Sequence, residues 1–308
     1  MPSSPSTSAP WSSLLLQHVH QHRIAATGLL LGLTTVAILL GQSLLNLSAG
    51  RTDVVSYALL GGLAGFATTS LGALPALLLT RIQARVQDTM LGLAAGMMLA
   101  ASSFSLLLPG LDAAEHLTGH AGLGAVIVVA GMALGVLLML GLDTFVPHEH
   151  EREGPCGPGH EKCSRVWLFV FAIALHNLPE GMAIGVSFAQ ADMSVGLPLT
   201  TAIALQDIPE GLAVALALRS AGFSGMKAVA IAAGSGMLEP VGAVIGVNLS
   251  SGMAFAYPMG LGLAAGAMIF VVSHEVIPET HRNGHQTPAT IGLMCGFAIM
   301  MVLDTTLG

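Results

Sequence analysis

Charge is what this sequence has least of: Asp, Glu, Lys and Arg together make up 9% of its 308 residues, where an ordinary soluble domain carries roughly 25%. So few charges cannot clothe a water-facing globule, and a membrane bundle becomes the starting class. Aromatics are also sparse, at 5% with 2 Trp and 2 Tyr, so the interior is not built from bulky rings. Basic residues are scarce enough to leave a formal charge of -7, with no Lys/Arg run and no aromatic interleaving, which excludes nucleic acid as a partner. The cysteines, Cys156, Cys163 and Cys295, are too few and too unevenly placed for a disulfide framework and read as free thiols. Glycine is plentiful instead, at 38 residues, and recurs four apart as Gly92 with Gly96, Gly131 with Gly135 and Gly242 with Gly246. That spacing suits helices that approach closely through small residues.

Crossing about 30 Å of hydrocarbon takes roughly 20 apolar residues in helix. Nine runs qualify: 24–47, 54–79, 89–108, 121–146, 166–189, 197–218, 226–247, 253–277 and 289–307. Lys and Arg in short loops collect on the cytoplasmic side, and they test this count. With the N-terminus inside, Arg23, Arg81, Arg85, Arg152, Lys162, Arg165, Arg219, Lys227 and Arg282 all fall inside, and only Arg51 falls outside. The expectation is a multi-pass membrane protein with its C-terminus facing the periplasm or exterior. Residues 1–23 read as a disordered cytoplasmic tail. The run 24–47 reads as an extra N-terminal transmembrane helix, too long for a usual signal-peptide core. Residues 54–308 form the main domain, with a cytoplasmic His/Cys-bearing loop at 147–165.

The fifth run contains His176-Asn177-Leu178-Pro179-Glu180-Gly181, and the sixth contains Gln206-Asp207-Ile208-Pro209-Glu210-Gly211. This is one pattern written twice, near the middle of two consecutive and therefore oppositely directed helices, as at the centre of an inverted-repeat transporter. Positions i and i+4 share a face, which sets His176 over Glu180 and Gln206 over Glu210, with Asn177 and Asp207 flanking. Each proline also frees a carbonyl one turn earlier. Glu239-Pro240 in the seventh run adds a further carboxylate. An ionised group at helix centre costs roughly 2.5 to 3.5 kcal/mol, so four unpaired carboxylates would cost on the order of 10 kcal/mol. No Lys or Arg lies in the middle of any run, so protons or bound cations must neutralise them. A lone polar residue in such a helix is usually an interhelical hydrogen bond, but packing does not select a repeated His/Gln, Asn/Asp and Glu set at one depth.

Oxygen ligands with one imidazole and no thiolate suit zinc first, with cadmium, iron(II) or manganese as alternatives, and disfavour copper(I). Zinc is then a transported substrate, and no organic cofactor is implied. An enzyme reading, a membrane metalloprotease, is set aside because HExxH is missing: His274-Glu275-Val276-Ile277-Pro278 ends in proline where the second histidine belongs. A metal sensor without transport rests only on the His/Cys loop.

At these two motifs the sequence closely resembles the ZIP family of metal transporters, in its bacterial branch. The resemblance runs from the second apolar run to the C-terminus. It implies an all-α polytopic membrane helix bundle of eight core helices in a 3+2+3 inverted-repeat arrangement, here with an extra N-terminal helix. It implies a binuclear site in which His176, Glu180, Gln206 and Glu210 hold one ion with Met98 nearby. Asn177, Glu180, Asp207, Glu210 and Glu239 would hold the second. It further implies movement of metal into the cytosol by an elevator-like slide, and a homodimer in membrane lipid. Gln206 and Asp207 stand where many eukaryotic relatives carry a second His-Asn pair, which bears on the second ion.

Two pathways are expected to flank this centre. On the outer side Ser105, Asp112 and Asp304 gather into an acidic mouth that would attract cations. On the inner side Asp143, His148, His150, His274, Glu275 and His285 line an exit, and His274 and Glu275 stand out because they lie within a run.

Overall fold

The computed structural model describes residues 18–31, 34, 52–146, 148–150, 154–156, 165–250 and 254–307. Residues 18–21 and 23–31 are helical; most of the expected extra helix at 24–47, and most of the 1–23 tail, lie outside the described residues. The main helices are α1 (Thr52–Ala73), α2 (Ala84–Ala101), α3 (Leu108–Thr118), α4 (Ala121–Phe145), α5 (Arg165–Ser187) and α6 (Met193–Ser220). They continue as α7 (Gly225–Gly236), α8 (Leu238–Leu249), α9 (Ala256–Val271), α10 (Ile277–Thr280) and α11 (Gln286–Leu307). A two-stranded hairpin, β1 (His148–His150) with β2 (Gly154–Cys156), pairs His148 with Cys156 in the loop after α4. Among the described residues, 7 helical stretches are long and apolar enough to cross a membrane. Helix α5, at 23 residues, has the same reach, since about 20 residues suffice. The core of the protein is thus a polytopic helical bundle.

Prolines decide where helices bend. A proline has no N–H to give the carbonyl four residues earlier and crowds it. Pro109 and Pro278 follow π-helical turns, Ser102–Leu107 and Val272–Val276, which join α2 to α3 and α9 to α10 without breaking the rod. Near Pro240 the single run expected at 226–247 is interrupted only at Met237, which keeps a right-handed helical backbone, so that α8 begins one residue before Glu239. Pro179 and Pro209 stay inside α5 and α6.

Helices meet in four close pairs, α2 with α11, α4 with α9, α5 with α8 and α1 with α6. Each pair is a reciprocal glycine seam, as the four-residue glycine spacing predicts. A β-carbon on Gly96 would stand 1.9 Å from the Leu293 carbonyl oxygen, and one on Gly296 would stand 2.0 Å from that of Leu93. Only glycine permits backbones that close. Gly131 and Gly135 meet α9, Gly242 and Gly246 meet α5, and Gly211 meets the backbone of Thr69 in α1. The core between them is made of small and flexible side chains, including Ala95, Met97, Met98, Ala264, Ala265 and Met268. Large apolar side chains are instead exposed on the outer helices, among them Leu123, Val126 and Val129 of α4 and Ile291, Met294 and Val302 of α11, where lipid rather than water suits them.

Candidate metal site

The motif helices α5 and α6 are joined by a short turn and run in opposite directions, bringing their midpoints side by side. Carboxylate oxygens of Glu180, Asp207 and Glu210 all lie within 4.8 Å of one another. Gln206 Nε2 donates to Glu180 Oε1 at 2.6 Å, so the i, i+4 stripes of the two helices do face each other. Glu180, Gln206 and Glu239 are completely buried, and Asn177 and Asp207 nearly so. Among the described side chains of the bundle, Arg81, Arg85, Arg219, Lys227 and Arg282 sit at or just beyond helix ends, too far along the helices to neutralise this centre.

Helix α8 brings Glu239 to the same place, against α1. Thr69 Oγ1 donates to Glu239 Oε1 at 2.9 Å, and Thr68 Oγ1 donates to Asp207 Oδ2 at 3.3 Å. Several polar atoms remain without a hydrogen-bond partner among the described residues: Asn177 Nδ2, Glu180 Oε2, Gln206 Oε1, Glu210 Oε1 and Glu239 Oε2. A buried acceptor left bare costs about 1 to 3 kcal/mol. Four of these five atoms are oxygens, the donor type that a hard or borderline dication takes up.

The remaining expected residues separate into groups. Met98 is buried in α2 within the apolar core. At the end expected to face outward, Ser105 in the π-helical turn donates to Asp304 Oδ1 at 2.5 Å, while Asp112 is exposed and pairs with His116 at 3.6 Å. At the opposite end, expected to face inward, Asp143, His274 and Glu275 form a second cluster within 4.8 Å. His285 lies apart from them, with Nδ1 at 2.8 Å from Asp88 Oδ2. The side chains of His148 and His150 lie outside the described residues, although their backbone forms β1. Sequence reasoning passed over Asp88, Thr68 and Thr69. Asp88 carried little signal: it lies among Arg85, Gln87 and Thr89, just ahead of the run at 89–108, and the structure shows it buried, held by Asn283 Nδ2 at 2.9 Å and by His285. Thr68 and Thr69 carried none, because hydroxyls are common in membrane helices.

A bundle of lipid-length helices with a buried cluster of acids and amides at its centre defines a polytopic membrane protein with an intramembrane cation site. A family profile described as "ZIP Zinc transporter" matches residues 146–304. The chain is 63% identical over 288 residues to "Zinc transporter ZIPB" of Bordetella bronchiseptica, covering 93% of each. It is 45% identical over 247 residues to "Zinc transporter GufA" of Myxococcus xanthus, covering 80% of this chain and 96% of that one. It is 31% identical over 335 residues to "Zinc transporter ZIP11" of Homo sapiens, covering 82% and 98%. This chain belongs to the ZIP zinc transporter family.

Proposed function

We infer that the chain transports divalent metal cations across a membrane, zinc foremost, and is not an enzyme. One observation carries this reading: Glu180, Asp207 and Glu210, at the middle of two antiparallel helices, the first two buried and the third partly so, converge within 4.8 Å, with no Lys or Arg among the described residues at their depth. Relatives named as zinc transporters support zinc as the substrate.

The finer reading extends this. His176, Glu180, Gln206 and Glu210, with Met98, hold one ion, and Asn177, Glu180, Asp207, Glu210 and Glu239 hold a second. Metal moves into the cytosol, entering past Ser105, Asp112 and Asp304 and leaving past Asp143, His274, Glu275 and His285, with His148 and His150 beyond. The burial pattern supports an inward-open state, since Ser105 is 2% exposed beside Asp304, whereas the His274 side chain is 42% exposed at the inner end. The four glycine seams support the 3+2+3 inverted repeat. If α1, α2/α3 and α4 are one half, and α7/α8, α9/α10 and α11 the other, the pair α1–α6 maps onto α8–α5 and the pair α2–α11 maps onto α9–α4. They also support an elevator-like slide. Helices α1, α5, α6 and α8, which carry the site, are seamed to one another, and α2, α4, α9 and α11 are seamed separately. A bacterial inner membrane, a cytoplasmic N-terminus, a periplasmic C-terminus and a homodimer complete the proposal.

Zinc influx into proteoliposomes reporting on a luminal zinc dye tests it. The wild-type chain is expected to give saturable influx that Glu180→Ala abolishes. A chain that binds zinc without any flux would favour a sensor instead.

A further inference from the structure

Helix α1 contributes nothing to the repeated motifs, yet one of its faces lies against two of the site carboxylates. Gly65, Thr68 and Thr69 stand at i, i+3 and i+4 and so share that face. Thr69 Oγ1 donates to Glu239 Oε1 at 2.9 Å, and Thr68 Oγ1 donates to Asp207 Oδ2 at 3.3 Å. One turn earlier, a β-carbon on Gly65 would fall 1.6 Å from Glu239 Oε2 and 3.2 Å from Asp207 Oδ2. Across the carboxylate, a β-carbon on Gly236 would fall 3.4 Å from Glu239 Oε1 and 3.1 Å from Thr69 Cβ. The Glu239 carboxylate is therefore seated between two bare stretches of backbone and held from the side by one hydroxyl. Its second oxygen, Oε2, is buried without a hydrogen-bond partner among the described residues.

We propose that Thr69 is a positioning residue for metal binding, holding the Glu239 carboxylate in the orientation that offers Oε2 to an ion, with Thr68 steadying Asp207 and Gly65 providing the space. The proposal rests on the transport reading above and names α1 as the wall of its second ion position. Threonine suits this task where valine, the same shape, does not. A hydroxyl has one proton, and that of Thr69 has an alternative acceptor in the Gly65 carbonyl at 3.1 Å. Thr68 has the same alternative at 2.9 Å. With Oε2 turned to an ion, the hydroxyl still donates to Oε1, so the bond counts in the metal-bound state; should the carboxylate turn away, the back-bond common for Ser and Thr leaves no buried donor stranded.

The test is a calorimetric zinc titration of the full chain in detergent. Thr69→Val is expected to weaken zinc binding about ten-fold, near the lower end of what a hydrogen bond to a charged group contributes. Thr69→Ser, which keeps the hydroxyl, is expected to restore the affinity to within about two-fold of wild type. In a Glu239→Ala background, adding Thr69→Val is expected to change nothing further, because the threonine acts only through that carboxylate. Wild-type affinity in Thr69→Val would overturn the proposal, as would losses that multiply in the double variant, which would mean a general packing role. Should Thr69→Val not yield folded protein, Thr69→Ala enters the same cycle with the same expectations. Flux is measured separately in proteoliposomes: a wild-type chain that binds zinc but does not move it refutes transport, while the titration still decides the role of Thr69.

Discussion

Neutralising Glu180 should have opposite effects on the metal-free and metal-bound protein. Glu180→Gln keeps the shape of the side chain and an oxygen to accept the 2.6 Å hydrogen bond from Gln206, but removes one charge. At 4.8 Å, two ionised carboxylates repel by about 3.5 kcal/mol at an effective dielectric of about 20. Glu180 takes part in two such pairs, with Asp207 and with Glu210, so at alkaline pH, where protons no longer neutralise the three acids, the metal-free variant gains up to about 7 kcal/mol, less about 1 kcal/mol for the weaker hydrogen bond to a neutral acceptor. Thermal unfolding at that pH, in detergent with chelator, should therefore occur at a higher temperature in Glu180→Gln than in wild type. With zinc the order reverses. At zinc near 100 times the wild-type Kd, binding stabilises by about 2.7 kcal/mol, and a hundred-fold loss of affinity leaves only about 0.4 kcal/mol. The wild-type Tm should climb with zinc while that of Glu180→Gln barely moves. A variant that is less stable without metal and equally stabilised by zinc would show that the carboxylates neither repel one another nor share an ion, and the reasoning would fail.

His176→Ala and Glu210→Ala should each weaken zinc binding by on the order of 3 kcal/mol, the scale for removing one partner of a buried charged group. Asp304→Ala should shift it by no more than about 0.5 kcal/mol, as expected away from the centre; equal losses in a binding titration would contradict that order. Gly296→Val places a β-carbon 2.0 Å from the Leu93 carbonyl oxygen and should destabilise the α2–α11 seam by about 3 kcal/mol, read as a lowered Tm with unchanged zinc affinity in the folded fraction. Asp88→Ala leaves Asn283 and His285 without their buried acceptor, at a cost of about 1 to 3 kcal/mol. Limited proteolysis should then cut the turn between α10 and α11 faster than in wild type.

The central site was legible because its chemistry is local to two short motifs. His176 to Glu180 and Gln206 to Glu210 each occupy one helical turn, and a charge in an apolar run announces itself by its energetic cost. Glycine spacing likewise foretold the seams, because Gly92 with Gly96 and Gly242 with Gly246 leave no other reason for their interval. Partnership across the bundle was not legible. Nothing in the order of residues says that Asp88 meets His285, or that Thr69 meets Glu239, 170 positions away. The interruption at Met237 was also missed. The seventh run is apolar enough to read as one helix, but Pro240 leaves the Gly236 carbonyl without its helical partner, and α7 gives way to α8 just there.

The two proposed mouths are built alike. At the outer end, a π-helical turn places Ser105 four residues before Pro109, against Asp304 of Leu303-Asp304-Thr305. At the inner end, a π-helical turn places His274 four residues before Pro278, against Asp143 of Leu142-Asp143-Thr144. In both, the threonine after the aspartate bonds back to its own helix at 2.7 Å, Thr305 to Met301 and Thr144 to Leu140. The proline explains the recurrence, since the carbonyl it strands is that of Ser105 or His274 itself, and widening the turn takes up the slack. The helix is thereby softened where it meets the aspartate. The copies differ in the residue offered: a hydroxyl at 2.5 Å from its aspartate outside, an imidazole at 3.7 Å inside. Serine is a weak ligand and imidazole a strong one for zinc. Under the transport reading proposed above, the outer device lets an ion pass and the inner one gives it a holding point, an asymmetry suited to carriage inward.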